Sequence, residues 1–201
     1  MAIEPDLRVC FLGDSFVAGF GDPEHLGWAG RIAARAHRDG RSLTTYNLGI
    51  RLDTSAGVLA RWRAECTPRL PLGCDARIVV SFGVNDMTDV DGALRVAPQS
   101  SVANLDRVLA EAEHRVEVLV VGPPPVADAA HNERTADLGN RYAISCRTRG
   151  VRYVGVFADL LASPCWMREV QAGDGAHPGA AGYQELADLV YPHWADWLAT
   201  G

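Results

Sequence analysis

Apolar positions along the chain alternate between two patterns. Short runs rich in Val, Ile, Leu and aromatic residues occur at 7–12, 42–48, 76–82, 116–121 and 151–156, each bounded by Gly, Pro or polar residues. Runs of that length and composition predict β-strands, and three are almost continuously apolar, as parallel strands buried on both faces are. Between them the apolar positions take up a helical period. It predicts helices over 26–39, closed by Gly40 as a C-terminal cap, over 54–66, with Val58, Leu59 and Trp62 on one face, and over 132–149. A helix over 100–113 is expected to open with a serine cap and to carry Val102, Leu105, Val108 and Leu109. The last begins near Gly179 and keeps Tyr183, Leu186, Ala187, Val190, Trp194 and Trp197 on its apolar face, and Pro192 is expected to kink or divide it.

Five strands alternating with helices predict an α/β fold, a three-layer α/β/α sandwich around a parallel five-stranded sheet. Right-handed crossovers leave few topologies, of which the flavodoxin-like order 2-1-3-4-5 is expected. No repeat or low-complexity linker interrupts the pattern, so residues 1–201 read as a single domain, long enough to fold on its own core.

Composition narrows the function classes. Hydrophobic residues make up 48% of the chain and charged residues 22%, which excludes disorder. With 19 Lys+Arg against 25 Asp+Glu the net charge is −6, which argues against nucleic acid or an anionic membrane as the partner. No apolar stretch approaches the roughly 18–20 residues of a bilayer span, and Glu4 and Asp6 stand where a signal peptide would be apolar, so a cytoplasmic location is expected. Cys10, Cys66, Cys74, Cys146 and Cys165 are odd in number and form no C-x-x-C pair, so they read as reduced thiols without zinc, the Cys66/Cys74 spacing as packing, and no cofactor is expected.

In a parallel sheet the site lies beyond the carboxyl ends of the strands. Those ends carry Gly13-Asp14-Ser15, then Asn47-Leu48-Gly49, then Gly83-Val84-Asn85-Asp86, then Gly122-Pro123-Pro124-Pro125; the last connection carries Asp174-Gly175-Ala176-His177-Pro178. A serine nucleophile needs a base, an acid that orients the base, and donors for the developing oxyanion. Ser15 supplies the hydroxyl, His177 the base and Asp174 the orienting acid. The N–H groups of Ser15 and Gly49 and the side-chain amide of Asn85 supply the donors. Pro178 suits the first position of the last helix and would fix His177 at its entrance. Taken singly each residue has a plainer reading: Ser15 as a turn serine, Gly49 as a turn glycine, Asn85 as a loop residue, Asp174 and His177 as a helix cap beside a surface histidine. Asp14 reads as a local backbone acceptor. His25, His37, His114, His131 and His193 read as surface residues, and Arg61 and Arg63 as a solvated helix edge.

Together the four blocks Gly13-Asp14-Ser15, Asn47-x-Gly49, Gly83-x-Asn85-Asp86 and Asp174-x-x-His177 resemble the SGNH hydrolases, also called GDSL esterases and lipases. The match runs across nearly the whole chain in order and spacing. The resemblance implies an α/β/α fold, hydrolysis of esters or thioesters without a metal, and a structural rather than chemical part for Asp86. Two positions depart from the usual pattern. Phe16 follows Ser15 where many members have Leu, and Leu52 stands where the second block often carries another glycine. An α/β-hydrolase would need Gly-x-Ser-x-Gly and a nucleotide-binding protein a phosphate loop; neither occurs in the chain. An acyltransferase working through the same acyl-enzyme, and a non-catalytic lipid- or carbohydrate-binding member, remain open. The expected substrate is a small acyl ester with a short or aryl acyl group, an ester of an acetylated sugar or a thioester. Its pocket walls are expected from Phe16, Val17, Met87 and the rest of 87–97, Pro124 and the rest of 124–127, and Trp166 with Met167.

Overall fold

The computed structural model describes residues 6–113 and 115–199. Its centre is a parallel sheet of β1 (Leu7–Gly13), β2 (Thr44–Gly49), β3 (Asp75–Ser81), β6 (Glu117–Val121) and β7 (Arg152–Val154), in the order β2-β1-β3-β6-β7. Counted along these five strands alone, that is the expected 2-1-3-4-5. Register aligns Gly13 with Gly49 on one side and with Ser81 on the other, so three strands end level. The loops that follow them therefore emerge side by side.

Successive side chains of a strand point to opposite faces, and β1 makes both halves of the core in this way. Val9 and Phe11 join one apolar cluster, with Trp28 and Ile32 of α2 (Gly27–Arg38) and with Tyr183, Leu186 and Val190 of α8 (Ala180–Leu198). Cys10 and Leu12 join the other, with Val58 and Trp62 of α3 (Ser55–Cys66), Leu105 and Val108 of α4 (Pro98–Ala112), and Leu138 and Tyr142 of α5 (Ala129–Thr148). Gly40 follows α2 in the left-handed region at φ 81°, with its N–H on His37 O and the Arg41 N–H on Ala36 O, the paired closure that favours glycine after a helix.

The helices depart from expectation at several points. Of the two outcomes expected at Pro192, division does not occur, since α8 runs continuously through it. The helix expected to open on a serine starts instead at Pro98, whose missing N–H costs nothing in a first turn, and Ser101 is buried inside it. Helix α5 begins three residues before the expected 132, because Asp128 caps it by accepting the His131 N–H. The segment 157–172, for which the pattern predicts no element, holds α6 (Phe157–Ala162) and α7 (Pro164–Ala172), and 87–97 folds partly into a hairpin of β4 (Asp89–Val90) and β5 (Ala93–Leu94). Among the described residues no helix is long and apolar enough to cross a membrane.

Candidate active site

Strand β1 stops at Gly13, where a Cβ would lie 1.9 Å from Ser81 O, so only glycine lets β1 and β3 end this close together. The chain then turns into α1 (Ser15–Ala18), with Asp14 as its cap: Oδ1 accepts the Phe16 N–H at 3.0 Å. This local turn sets Ser15 at the head of a four-residue helix. On the far side of the molecule's chain, Asp174-Gly175-Ala176-His177 forms a compact turn before α8. Asp174 Oδ1 accepts the N–H groups of Ala176 and His177, both at 2.9 Å, and Gly175 takes φ 81°. That leaves Asp174 Oδ2 facing His177 Nδ1 at 2.8 Å, and His177 Nε2 facing Ser15 Oγ at 2.7 Å. With Nδ1–H donated to the carboxylate, Nε2 carries the lone pair that accepts from the serine hydroxyl. Burial pushes the Asp174 carboxyl up, but the His177 N–H, the His177 ring and the Ala176 N–H outweigh it and hold the acid at about 2. It is ionised throughout the neutral range. The imidazole is fixed from two sides as well, tilted against Phe16 at a centroid distance of 4.7 Å and edge-on to Phe20 at 4.9 Å.

The other expected donors come from the neighbouring strand ends. Asn85 opens a short 3-10 turn after β3, and its Nδ2 donates to Asp53 O at 2.9 Å, which orients the amide and leaves its second hydrogen unused by that bond. Asp86 is buried and accepts the Ser55 N–H at 2.9 Å and the Ser101 hydroxyl, so it ties this turn to α3 and α4. Gly49 is different from expectation. A Cβ on it would lie 2.2 Å from Ala18 N, so the glycine is required by the close approach of α1, and its N–H is already donated to Asn47 Oδ1 at 3.0 Å. Three residues on, Leu52 adopts φ 64° in a turn closed by Asp53 N–H on Ile50 O. A left-handed leucine is uncommon and strained, and among the described residues its own N–H has no acceptor.

Two residues assigned to the surface turn out to brace the site. Arg61 donates to Gly13 O at 2.9 Å and Leu48 O at 2.8 Å while pairing with Asp53 and Glu65, so it clasps the ends of β1 and β2. His131, half-buried, places Nε2 2.8 Å from Val84 O; burial lowers its pKa, and the neutral ring can donate there. Arg134 reaches Met87 O at 3.1 Å, so the first turns of α5 hold both ends of the Asn85 turn. Nothing in the local pattern separates Arg61 from Arg63, or His131 from the other histidines; the partners are distant carbonyls. His114 lies outside the described residues.

Of the expected pocket walls, several side chains are buried, whereas residues 88–97, Ala127 and Met167 are exposed or half-buried. Phe16, Val17 and Met87 are buried, Pro124 is buried, and Trp166 has no exposed surface, stacking on Phe16 and donating Nε1–H to Pro125 O at 3.0 Å. Phe16, Val17 and Trp166 belong to one apolar cluster and Met87 to the other. Open space lies instead beside the imidazole, in a cleft of about 420 Å³ lined by Phe20, Gly21, Glu169, Asp174, His177 and Pro178 among others.

Residues 11–185 match the model of the GDSL-like Lipase/Acylhydrolase family. A relative, Esterase TesA of Pseudomonas aeruginosa, is 27% identical over 184 residues, which cover 90% of this chain and 84% of TesA. The lipase/acylhydrolase of Enterococcus faecalis superposes with a TM-score of 0.77 at 20% identity, covering 93% of this chain and 94% of that one. Axe2, an acetylxylan esterase of Geobacillus stearothermophilus, superposes with a TM-score of 0.76 at 19% identity, covering 94% of each chain. The serine, amide and imidazole gathered at one sheet edge thus stand on the fold of these hydrolases, and the chain belongs to the GDSL-like lipase/acylhydrolase family.

Proposed function

We propose that the chain hydrolyses carboxylic esters of small acyl groups through an acyl-Ser15 intermediate. The observation that carries this reading is the unbroken relay from Asp174 Oδ2 through His177 to Ser15 Oγ, with both heavy-atom distances below 2.9 Å. Ser15 Oγ attacks the ester carbonyl as His177 Nε2 takes its proton; the imidazolium that forms faces an ionised Asp174. Collapse of the tetrahedral adduct breaks the bond to the alcohol oxygen, which leaves with the proton from Nε2. Water then repeats the cycle on the acyl-enzyme, with His177 again as base, and frees the acid.

The oxyanion is assigned to the Ser15 N–H, the free hydrogen of Asn85 Nδ2, and the N–H of Leu52 rather than that of Gly49. The Gly49 hydrogen is spent on Asn47, whereas the Leu52 N–H has no acceptor among the described residues and adjoins Asp53, whose carbonyl orients the Asn85 amide. Short acyl groups are favoured because Phe16, which follows Ser15 and lies against the His177 ring, is itself stacked on the fully buried Trp166, so the side chains beside the nucleophile are already packed. Acetate esters of sugars are a natural member of that class, in keeping with the likeness to an acetylxylan esterase. A series of 4-nitrophenyl esters from acetate to laurate, with the released acid measured, tests the reading. Activity should peak at two to four carbons and vanish in Ser15→Ala; a peak at long chains would overturn the short-acyl assignment, and unchanged turnover in Ser15→Ala would overturn the mechanism.

A further inference from the structure

Resting on that hydrolase reading, we infer that Arg51 makes the site selective for esters whose alcohol half carries an anionic group, a carboxylate or a phosphate. During acylation the departing oxygen receives its proton from His177 Nε2, so the alcohol half must lie on the imidazole side of the reacting carbon. Phe20 stands edge-on to that imidazole, and the Arg51 guanidinium lies over the Phe20 ring with its carbon 3.5 Å from the centroid. The ring holds the cation on the imidazole side, where the alcohol half leaves, and an acyl half on the opposite side of the reacting carbon would be farther from it.

Arg51 is exposed, and this ring contact is its one partner among the described residues. No carboxylate pairs with it, and all its N–H donors remain open. The carboxylates nearest the cleft are committed elsewhere: Asp174 to His177 and Ala176, and Glu169 to the N–H groups of Gly179 and Gly182 at the head of α8. Stacking on Phe20 also fixes a long side chain in advance, so less rotamer freedom is lost when an anion binds. A guanidinium offers two parallel donors to a carboxylate or phosphate, a geometry lysine lacks. On a chain of net charge −6 an anionic substrate gains nothing from the overall field, so a local cation decides.

The test compares kcat/KM for 3-acetoxybenzoate and 3-acetoxyphenyl phosphate, each relative to neutral 3-acetoxybenzamide. A control pair, phenyl hemisuccinate and phenyl butyrate, places the charge on the acyl half. Arg51→Gln should lower the anionic-to-neutral ratio for the first two about fivefold to tenfold, the size of one partly solvated ion pair. Arg51→Glu should lower it further, Arg51→Lys should keep part of it, and 0.5 M salt should shrink the wild-type preference. The ratio for the control pair should hold. Ratios for all pairs that move together would show a general field or a propped imidazole and overturn the proposal, as would ratios that do not move. Loss of turnover on every ester in the wild type itself would instead strike the hydrolase reading beneath it.

Discussion

Asp14 is buried one residue before Ser15, with Oδ1 on the Phe16 N–H and Oδ2 without a partner among the described residues. Burial pushes its acid up to about 7, against the pull of the Phe16 N–H and with further push from Asp86 and Asp53. The folded chain thus holds this proton more tightly than the unfolded chain, whose Asp titrates near 3.9. The stability so contributed is fully present below about pH 4 and is lost as pH rises through 7. Asp14→Asn keeps the oxygen that caps α1 and removes the titration. Its melting temperature relative to the wild type should therefore rise between pH 5 and pH 8, by several degrees for an ionisation that costs on the order of a few kcal/mol. A constant offset at both pH values would show that Asp14 does not titrate there. Asn85 belongs to the same scale. As an oxyanion donor its loss should act on the transition state: Asn85→Ala should lower kcat about 10²–10³-fold with KM little changed, and Asn85→Asp more, by placing a carboxylate against the oxyanion. Steady-state kinetics beside a thermal melt checks this, and a wild-type kcat in Asn85→Ala would leave the oxyanion to backbone N–H groups.

Elements divide into those whose physics is local and those whose partners are far along the chain. The five sheet strands are legible because buried parallel strands need continuous apolar runs, and 7–12 and 116–121 are such runs with Gly or Pro at their ends. Their order follows from the crossover rule. Helices α6 and α7 are not legible: Leu160, Trp166 and Val170 are split between helices of six and nine residues, broken at Ser163-Pro164, too short for a period to emerge. The hairpin of β4 and β5 has two residues a strand and no pattern at all. At the site, Ser15, Asp174 and His177 could be picked out because each directly follows a strand or precedes a helix. The bracing by Arg61 and His131 could not, since their acceptors are carbonyls 13 to 48 residues away. Gly49 shows both sides. Its place at the end of β2 is legible, but not the approach of α1 that requires a glycine, and that its N–H is turned to Asn47 depends on a side-chain orientation no spacing encodes. Because a Cβ there would meet Ala18 N at 2.2 Å, Gly49→Ala should push α1 and Ser15 away, at a cost of about 1–3 kcal/mol by urea unfolding together with most of the activity. Full activity and stability in Gly49→Ala would show that α1 has room the packing denies it.

At the scale of the whole molecule, a sheet with three strand ends level and helices on both faces converts distance in sequence into contact. Ser15 and His177 are 162 residues apart and meet at 2.7 Å because β1 is an interior strand of the sheet and the last helix packs on the face that β1 shares with it. Helix α8 packs on α2 and places Tyr183, Leu186 and Val190 in the cluster they share, and Glu169 of α7 holds its first turn by accepting the Gly179 and Gly182 N–H groups. The imidazole is thus carried at the entrance of a helix seated in that half of the core, and the Asp174–His177 pair is already assembled. The account stands or falls on Ser15 as the nucleophile that this architecture activates. Reaction with an excess of a fluorophosphonate, read by intact mass and peptide mapping on wild type and Ser15→Ala, tests it most directly. One adduct per chain on the peptide containing Ser15, none on Ser15→Ala, and a variant that melts like the wild type with kcat lowered about 10³-fold or more are predicted. An adduct at another serine, or a Ser15→Ala protein that still turns over ester at the wild-type rate, would contradict it.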